Sequence, residues 1–230
     1  MHQRSGNTTP HFPSDYDEQI LATIPMYAAF HTQTMEAVKA HQPKPALWLD
    51  TGCGTGSLIK KCADCFPQTR FILADPAADM LAVAREKLAD DADRITFLPA
   101  VSSQQLNAFL KEKPDVITAI QAHHYLSAAE REQATQVCFD LLKENGIFIT
   151  FENIAPFTED GVRIGKSLWG NFQLQSGKTK EQVETHLDRY GNDYHPITVE
   201  QHLALYRSCG FRVVELLWYS YMQAGFYCIK

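Results

Sequence analysis

No apolar stretch in the sequence approaches the ~20 residues that cross a bilayer, so a membrane-spanning helix is not expected. An excess of basic residues is also missing. The 21 Lys and Arg against 27 Asp and Glu leave a net charge of −6, which argues against a broad electrostatic grip on nucleic acid. Met1 to Ser14 lacks the basic-then-apolar order of a secretory signal and carries Pro10 and Pro13. It is expected to be a loose arm. Cysteine builds no framework: Cys53, Cys62, Cys65, Cys138, Cys209 and Cys228 are scattered, and read as free thiols of a cytoplasmic protein. Cys62 and Cys65 form a C-x-x-C, but no second pair stands at zinc-finger spacing, so no metal is expected there.

What is present is the composition of an ordinary globule, 45% apolar and 21% charged, in 230 residues that fit one α/β domain. Its organising stretch is A-L-W-L-D-T-G-C-G-T-G, Ala46 to Gly56. A short apolar run ends on Asp50 and gives way to glycines at alternate positions, Gly52, Gly54 and Gly56, followed by an amphipathic segment from Ser57 to Cys65. This reads as a buried strand, a turn and a helix N-terminus, where unpaired N–H groups favour electron-rich ligand groups. The dinucleotide fingerprint would need its third glycine at position 57, where Ser57 stands. Asp50 would also repel a pyrophosphate, yet it suits a ligand carrying an ammonium and a sulfonium.

Acidic residue plus G-x-G-x-G resembles the first motif of the class I methyltransferases that use S-adenosyl-L-methionine (SAM). The rest of the chain fits that resemblance. Residues 15–42 are expected to form helices split by Pro25, with Tyr16, Tyr27 and His31 as pocket residues if they close over the cofactor as in that family. Arg70 to Ala74 is a second strand ending at Asp75, 21 residues after Gly54, and Pro76 is expected to start a helix. Asp75 could accept the ribose hydroxyls or cap that helix. D-P-A-A-D-M matches the family pattern here and favours the ribose role, with Met80 near the adenine. After a third strand, Ile95 to Leu98, the family edges the adenine, which points to Val101 and Ser102. The acidic residue that many members carry in this turn is absent. Ser102 with Gln105 makes a capping box for a helix expected to reach about Glu112.

Val116 to Ile120 and I-F-I-T-F-E-N are the fourth and fifth strands, with a helix capped by Ser127 and Glu130 between them. Such alternation predicts a doubly wound, Rossmann-like sheet with ligands at the carboxyl ends of its strands. Residues 155–194 break the rhythm with one expected helix, begun at Thr179, and form a cap inserted after the fifth strand. Two final strands, joined near Tyr219 to Tyr221, complete a seven-stranded, mostly parallel sheet with an antiparallel last strand.

Methyl transfer from a sulfonium needs chiefly an acceptor held in line, and a base only if the acceptor carries a proton. Gln121 is expected beside the cofactor, while His123, His124 and Glu152, at the ends of the fourth and fifth strands, are candidate catalytic groups. A metal held by the two histidines, Glu152 and His195 is disfavoured because adjacent side chains on an extended segment point apart. No N-P-P-[aromatic] run, the mark of many methyltransferases acting on bases, is present. The resemblance therefore implies transfer to an O, N or S atom of a small-molecule acceptor. Y-D-E-Q-I-L-A-T-I-P-M-Y and the G-F near the end also look like the carboxy-SAM synthases, which alter the cofactor itself, and a non-catalytic SAM-binding protein is the third alternative.

Overall fold

The computed structural model describes residues 11–230. Its centre is a seven-stranded sheet built from β1 (Leu47–Thr51), β2 (Arg70–Ala74), β3 (Ile95–Phe97), β4 (Val116–Ile120), β5 (Ile147–Asn153), β6 (Val213–Ser220) and β7 (Gln223–Ile229). The spatial order is β3-β2-β1-β4-β5-β7-β6. Strands β1 to β5 pair in parallel, and β7 runs antiparallel to both neighbours, β5 and β6. The chain order reverses between β1 and β4, which opens a crevice at the carboxyl ends of those two strands.

The central strands are apolar without interruption because both faces are covered. Trp48, Val116 and Ile149 point into one core, and their neighbours Leu49, Ile117 and Phe148 into the other. The first core takes side chains from α1 (Tyr16–Thr23), α2 (Tyr27–His41), α3 (Ser57–Cys65) and α4 (Ala78–Lys87). The second is closed by α5 (Ala128–Leu141) and by α8 (Val199–Ser208) with the residues that follow it. The capping boxes read from Ser127 and Glu130, and from Thr179 and Gln182, are both formed.

Three local expectations need correction. The segment 155–194 holds two helices, α6 (Glu159–Gln175) and α7 (Lys180–Leu187), rather than one. Gly161, Gly165 and Gly170 hid α6, but two of them are packing positions: a Cβ at Gly165 would lie 2.8 Å from Met222 Sδ, and one at Gly170 3.2 Å from Val183 and Leu187. Ser102 and Gln105 do form their box, yet the element is a 3₁₀ turn over Ser103–Ala108 and stops well before Glu112. Helix α4 begins at Ala78, with Ala77 as its N-cap, rather than at Pro76. The arm expected at 1–14 lies mostly outside the described residues, though His11 Nε2 sits 3.0 Å from Thr23 Oγ1. No described helix is long and apolar enough to cross a membrane.

Candidate functional site

The glycine loop is shaped by backbone that side chains would block. Gly52 has φ +69°, and a Cβ there would come within 2.5 Å of Ala122 Cβ, so only glycine lets the loop after β1 touch the loop after β4. Gly54, at φ +54°, has open space where a side chain would stand and faces the crevice. Gly56 is the N-cap of α3 and backs onto Leu88 and Ala84, away from the cavity. The crevice so formed measures about 310 Å³, and Gly52, Gly54, Asp75, Pro76, Met80, Ser102 and Gln121 all line it. Val101 is buried beside it and contributes no wall.

Asp50 and Asp75 give the crevice its character. Asp50 is buried against a narrow extension lined by Tyr16, Tyr27, His31, Gly52 and Gly54. Its Oδ1 accepts from Thr118 Oγ1 at 2.6 Å, and Thr118 accepts in turn from the Trp48 indole at 2.9 Å. Burial pushes the Asp50 carboxyl up to about 7, a position that a ligand cation would reverse. Asp75 accepts from the backbone N–H of Gly54 at 2.9 Å and of Ala77 at 2.8 Å, which ties the loop after β1 to the loop after β2. Burial still raises it, to about 6.

Helix α1 covers this crevice. Asp17 Oδ1 accepts from Thr55 Oγ1 at 2.6 Å and Ser57 Oγ at 2.7 Å, while its Oδ2 pairs with Lys87. Burial alone would raise Asp17, but these donors hold it below the usual carboxylate range. The latch sets Tyr16 over the crevice, where burial and the adjoining Tyr27 push its phenol up. Tyr16, Tyr27 and His31, the pocket residues implied by the family resemblance, line the crevice or its extension, while no motif in the sequence marks Asp17.

The end of β4 is strained. Gln121 has φ +55°, an uncommon conformation for a side-chain-bearing residue. Its N–H donates to Phe151 O at 2.7 Å, which holds the turn against β5. Beyond it the two imidazoles diverge. His123 lines the crevice, with Nε2 3.1 Å from Ser103 Oγ, which is itself 2.7 Å from Thr51 Oγ1; burial brings His123 down to about 4, so it is neutral.

His124 and Glu152 lie under the rim, 1% and 0% exposed, and line none of the cavities described here. Glu152 accepts from the backbone N–H of His123 at 3.2 Å and of His124 at 2.9 Å, and from His124 Nδ1 at 2.7 Å. Thr150 Oγ1 stands 2.6 Å from its other oxygen. Burial raises this carboxyl, but the surrounding donors outweigh it and hold Glu152 down at about 2. On the far side His124 Nε2 is 3.3 Å from Asn153 Nδ2, and Asn153 Oδ1 accepts from Gln223 Nε2 at 3.3 Å. Against the Glu152 carboxylate, His124 Nδ1 is the donor. Glu152 thus works as a clamp on the 121–126 turn. No group of three or more potential metal ligands occurs among the described residues.

Tyr16, Gln121 and Tyr125 form a partition, because they line both the crevice and a smaller compartment beyond it. That compartment is walled by Asn153 from β5 and by His186, Arg189 and Tyr194 from the cap. His186, Arg189, Tyr194 and Tyr125 belong to no motif that marks them for a site. The usable signal was the charged and aromatic run D-R-Y-G-N-D-Y, 188–194, directly after α7.

Residues 49–148 match the family described as "Methyltransferase domain". A carboxy-S-adenosyl-L-methionine synthase of Campylobacter lari is 25% identical over 205 residues, covering 88% of this chain and 85% of that protein. Among solved structures, an O-methyltransferase family protein from Burkholderia thailandensis aligns with TM-score 0.66 at 17% identity, over 93% of this chain but only 57% of its own length. SAM-bound CalS10, an amino pentose methyltransferase from Micromonospora echinaspora, gives TM-score 0.65 at 17% identity over 93% and 95% of the two chains. Sheet order and glycine loop agree with the methyltransferase-domain match over residues 49–148, and the chain has the fold of the SAM-dependent methyltransferases. S-adenosyl-L-methionine is the cofactor of that class, and the residues present suit it: two buried carboxylates raised by burial beside a glycine-floored crevice.

Proposed function

We propose that the chain transfers the methyl group of SAM to an O, N or S atom of a small molecule held in the compartment beyond Gln121. The partition by Tyr16, Gln121 and Tyr125 carries this reading, because it sets a second, small compartment, with Asn153, His186 and Arg189 in its wall, next to the cofactor crevice. Asp50, Gly52 and Gly54 would hold the methionine arm, Asp75 the ribose, and Met80 with Ser102 the adenine side. SAM supplies an already activated methyl group, so the chain's own contribution is to orient the acceptor and exclude water. Tyr16 and the cap do the excluding. His123, His124 and Glu152 are positioning residues that fix the turn carrying Gln121. A net charge of −6 disfavours a nucleic-acid acceptor.

A second reading is favoured by Arg189, a cation in the wall of the chamber, and by the likeness to the Campylobacter lari enzyme. A carboxy-SAM synthase needs such a cation for the added carboxylate. Mass spectrometry of the ligand carried through purification separates the two readings. SAM or S-adenosylhomocysteine (SAH) supports methyl transfer, and a ligand heavier by one carboxyl group supports the other. Binding without turnover on any acceptor would leave a SAM-binding protein.

A further inference from the structure

Arg131 is a buried cation that no carboxylate among the described residues pairs with. It stands in the first turn of α5 at 3% exposure, and its guanidinium donates only to backbone carbonyls: Nε to His123 O at 3.2 Å, and Nη2 to Leu126 O at 3.2 Å and to His195 O. Desolvating a guanidinium without a partner anion is costly, and an apolar side chain of similar length would fill the same space at less cost. Burial draws the Arg131 pKa down, while the Glu152 carboxylate across the turn works the other way. What the charge supplies here is geometry.

The three carbonyls belong to two parts of the site that lie far apart in sequence. His123 and Leu126 bracket the turn after β4, whose Gln121, His123 and Tyr125 line the cofactor crevice. Glu152 takes the N–H groups of His123 and His124, so an anion grips this turn by its donors and Arg131 grips it by its acceptors. His195 is the first residue after the cap, and its N–H donates to His124 O at 2.7 Å. Both backbone groups of His195 are thus tied to the turn, one directly and one through Arg131. Tyr194, the residue before it, is 1% exposed, and its ring meets that of Tyr125 edge to face with centroids 6.3 Å apart. Tyr125 belongs to the partition and Tyr194 to the cap wall of the smaller compartment. A shift of His195 against the turn would therefore move one wall of that compartment against the other.

We infer that Arg131 is a positioning residue of the site: it locks the end of the cap to the turn after β4, so that cofactor binding on one side of the turn sets the compartment wall on the other. This rests on the crevice holding SAM and the compartment holding the acceptor. The test follows amide exchange in the full chain with and without saturating SAH. In the unaltered chain SAH should slow exchange in residues 121–126 and in residues 190–196 together, although the second segment lines no part of the crevice. In Arg131→Met the slowing at 121–126 should persist while that at 190–196 falls about tenfold, and Arg131→Lys, which keeps the charge and a donor, should restore most of it. A merely structural Arg131 would speed exchange throughout the variant and leave the SAH-dependent slowing of the two segments in step, and that result overturns the inference. So does slowing confined to 121–126 in the unaltered chain. Should Arg131→Met fail to fold, NMR of the unaltered chain decides: the Arg131 Nε–H signal should exchange slowly with water and shift on SAH saturation, and a signal that SAH leaves unmoved overturns the coupling. Failure of the unaltered chain to take up SAH is a different failure: it removes the cofactor reading and this inference with it.

Discussion

Asp50 and Glu152 are both buried carboxylates, and their surroundings drive them in opposite directions. Glu152 is ringed by donors and held at about 2, whereas Asp50 has the Thr118 hydroxyl and rises to about 7. For Glu152 the folded value is depressed. Its contribution to stability is therefore present above the usual carboxylate range and is lost as pH falls from about 4 toward 2. Removing the charge in Glu152→Gln should destabilise the chain by about 2–4 kcal/mol, read as a lowered denaturant midpoint with an unchanged slope. An unchanged midpoint would deny the clamp. Asp50 has the reverse sign: its folded value is raised, so stability of the ligand-free chain declines as pH climbs from about 4 to about 7. Binding a cationic ligand favours the ionised form and should release a proton near pH 7, measurable by calorimetry in buffers of different ionisation enthalpy. Asp50→Asn should abolish that release and weaken SAM about tenfold or more. Proton release that survives the substitution would assign it to another group.

At the scale of elements, α1 is the movable part of the site's cover. It is held to the glycine loop through Asp17, and to the cap through Trp169 Nε1, which donates to Thr23 O at 2.7 Å. Asp17→Asn should loosen one of these two ties. SAH dissociation is expected to quicken roughly threefold to tenfold, with faster amide exchange confined to residues 16–24. Equal exchange throughout the chain would mean global destabilisation instead. Here the legibility of sequence varied with the kind of signal. The split at Pro25 and the boxes at Ser127 and Thr179 are local chemistry and could be read directly. Helix α6 could not, because its glycines serve contacts with Met222, Val183 and Leu187 that local propensity does not contain. The helix expected after Ser102 shows the converse, since its box begins an element that ends at Ala108.

Over the whole molecule the sheet was the most legible feature. Uninterrupted apolar strands alternating with capped helices define a doubly wound order, and a glycine loop after β1 locates the crevice at its reversal. The glycine loop and Asp75 could be placed together at the crevice, because they belong to one βαβ unit. The acceptor side could not. His186, Arg189 and Tyr194 come from the cap, more than 60 residues along the chain from Gln121, and no periodicity says which cap side chains turn inward. Adjacency predicts that His123 and His124 diverge, but not that His123 is the one facing the crevice while His124 meets Glu152. Everything proposed here depends on the crevice under Gly52 and Gly54 holding SAM. The most direct measurement is titration calorimetry of the full chain with SAM and SAH: saturable one-to-one binding of both is the predicted result, and absence of binding by either would contradict it.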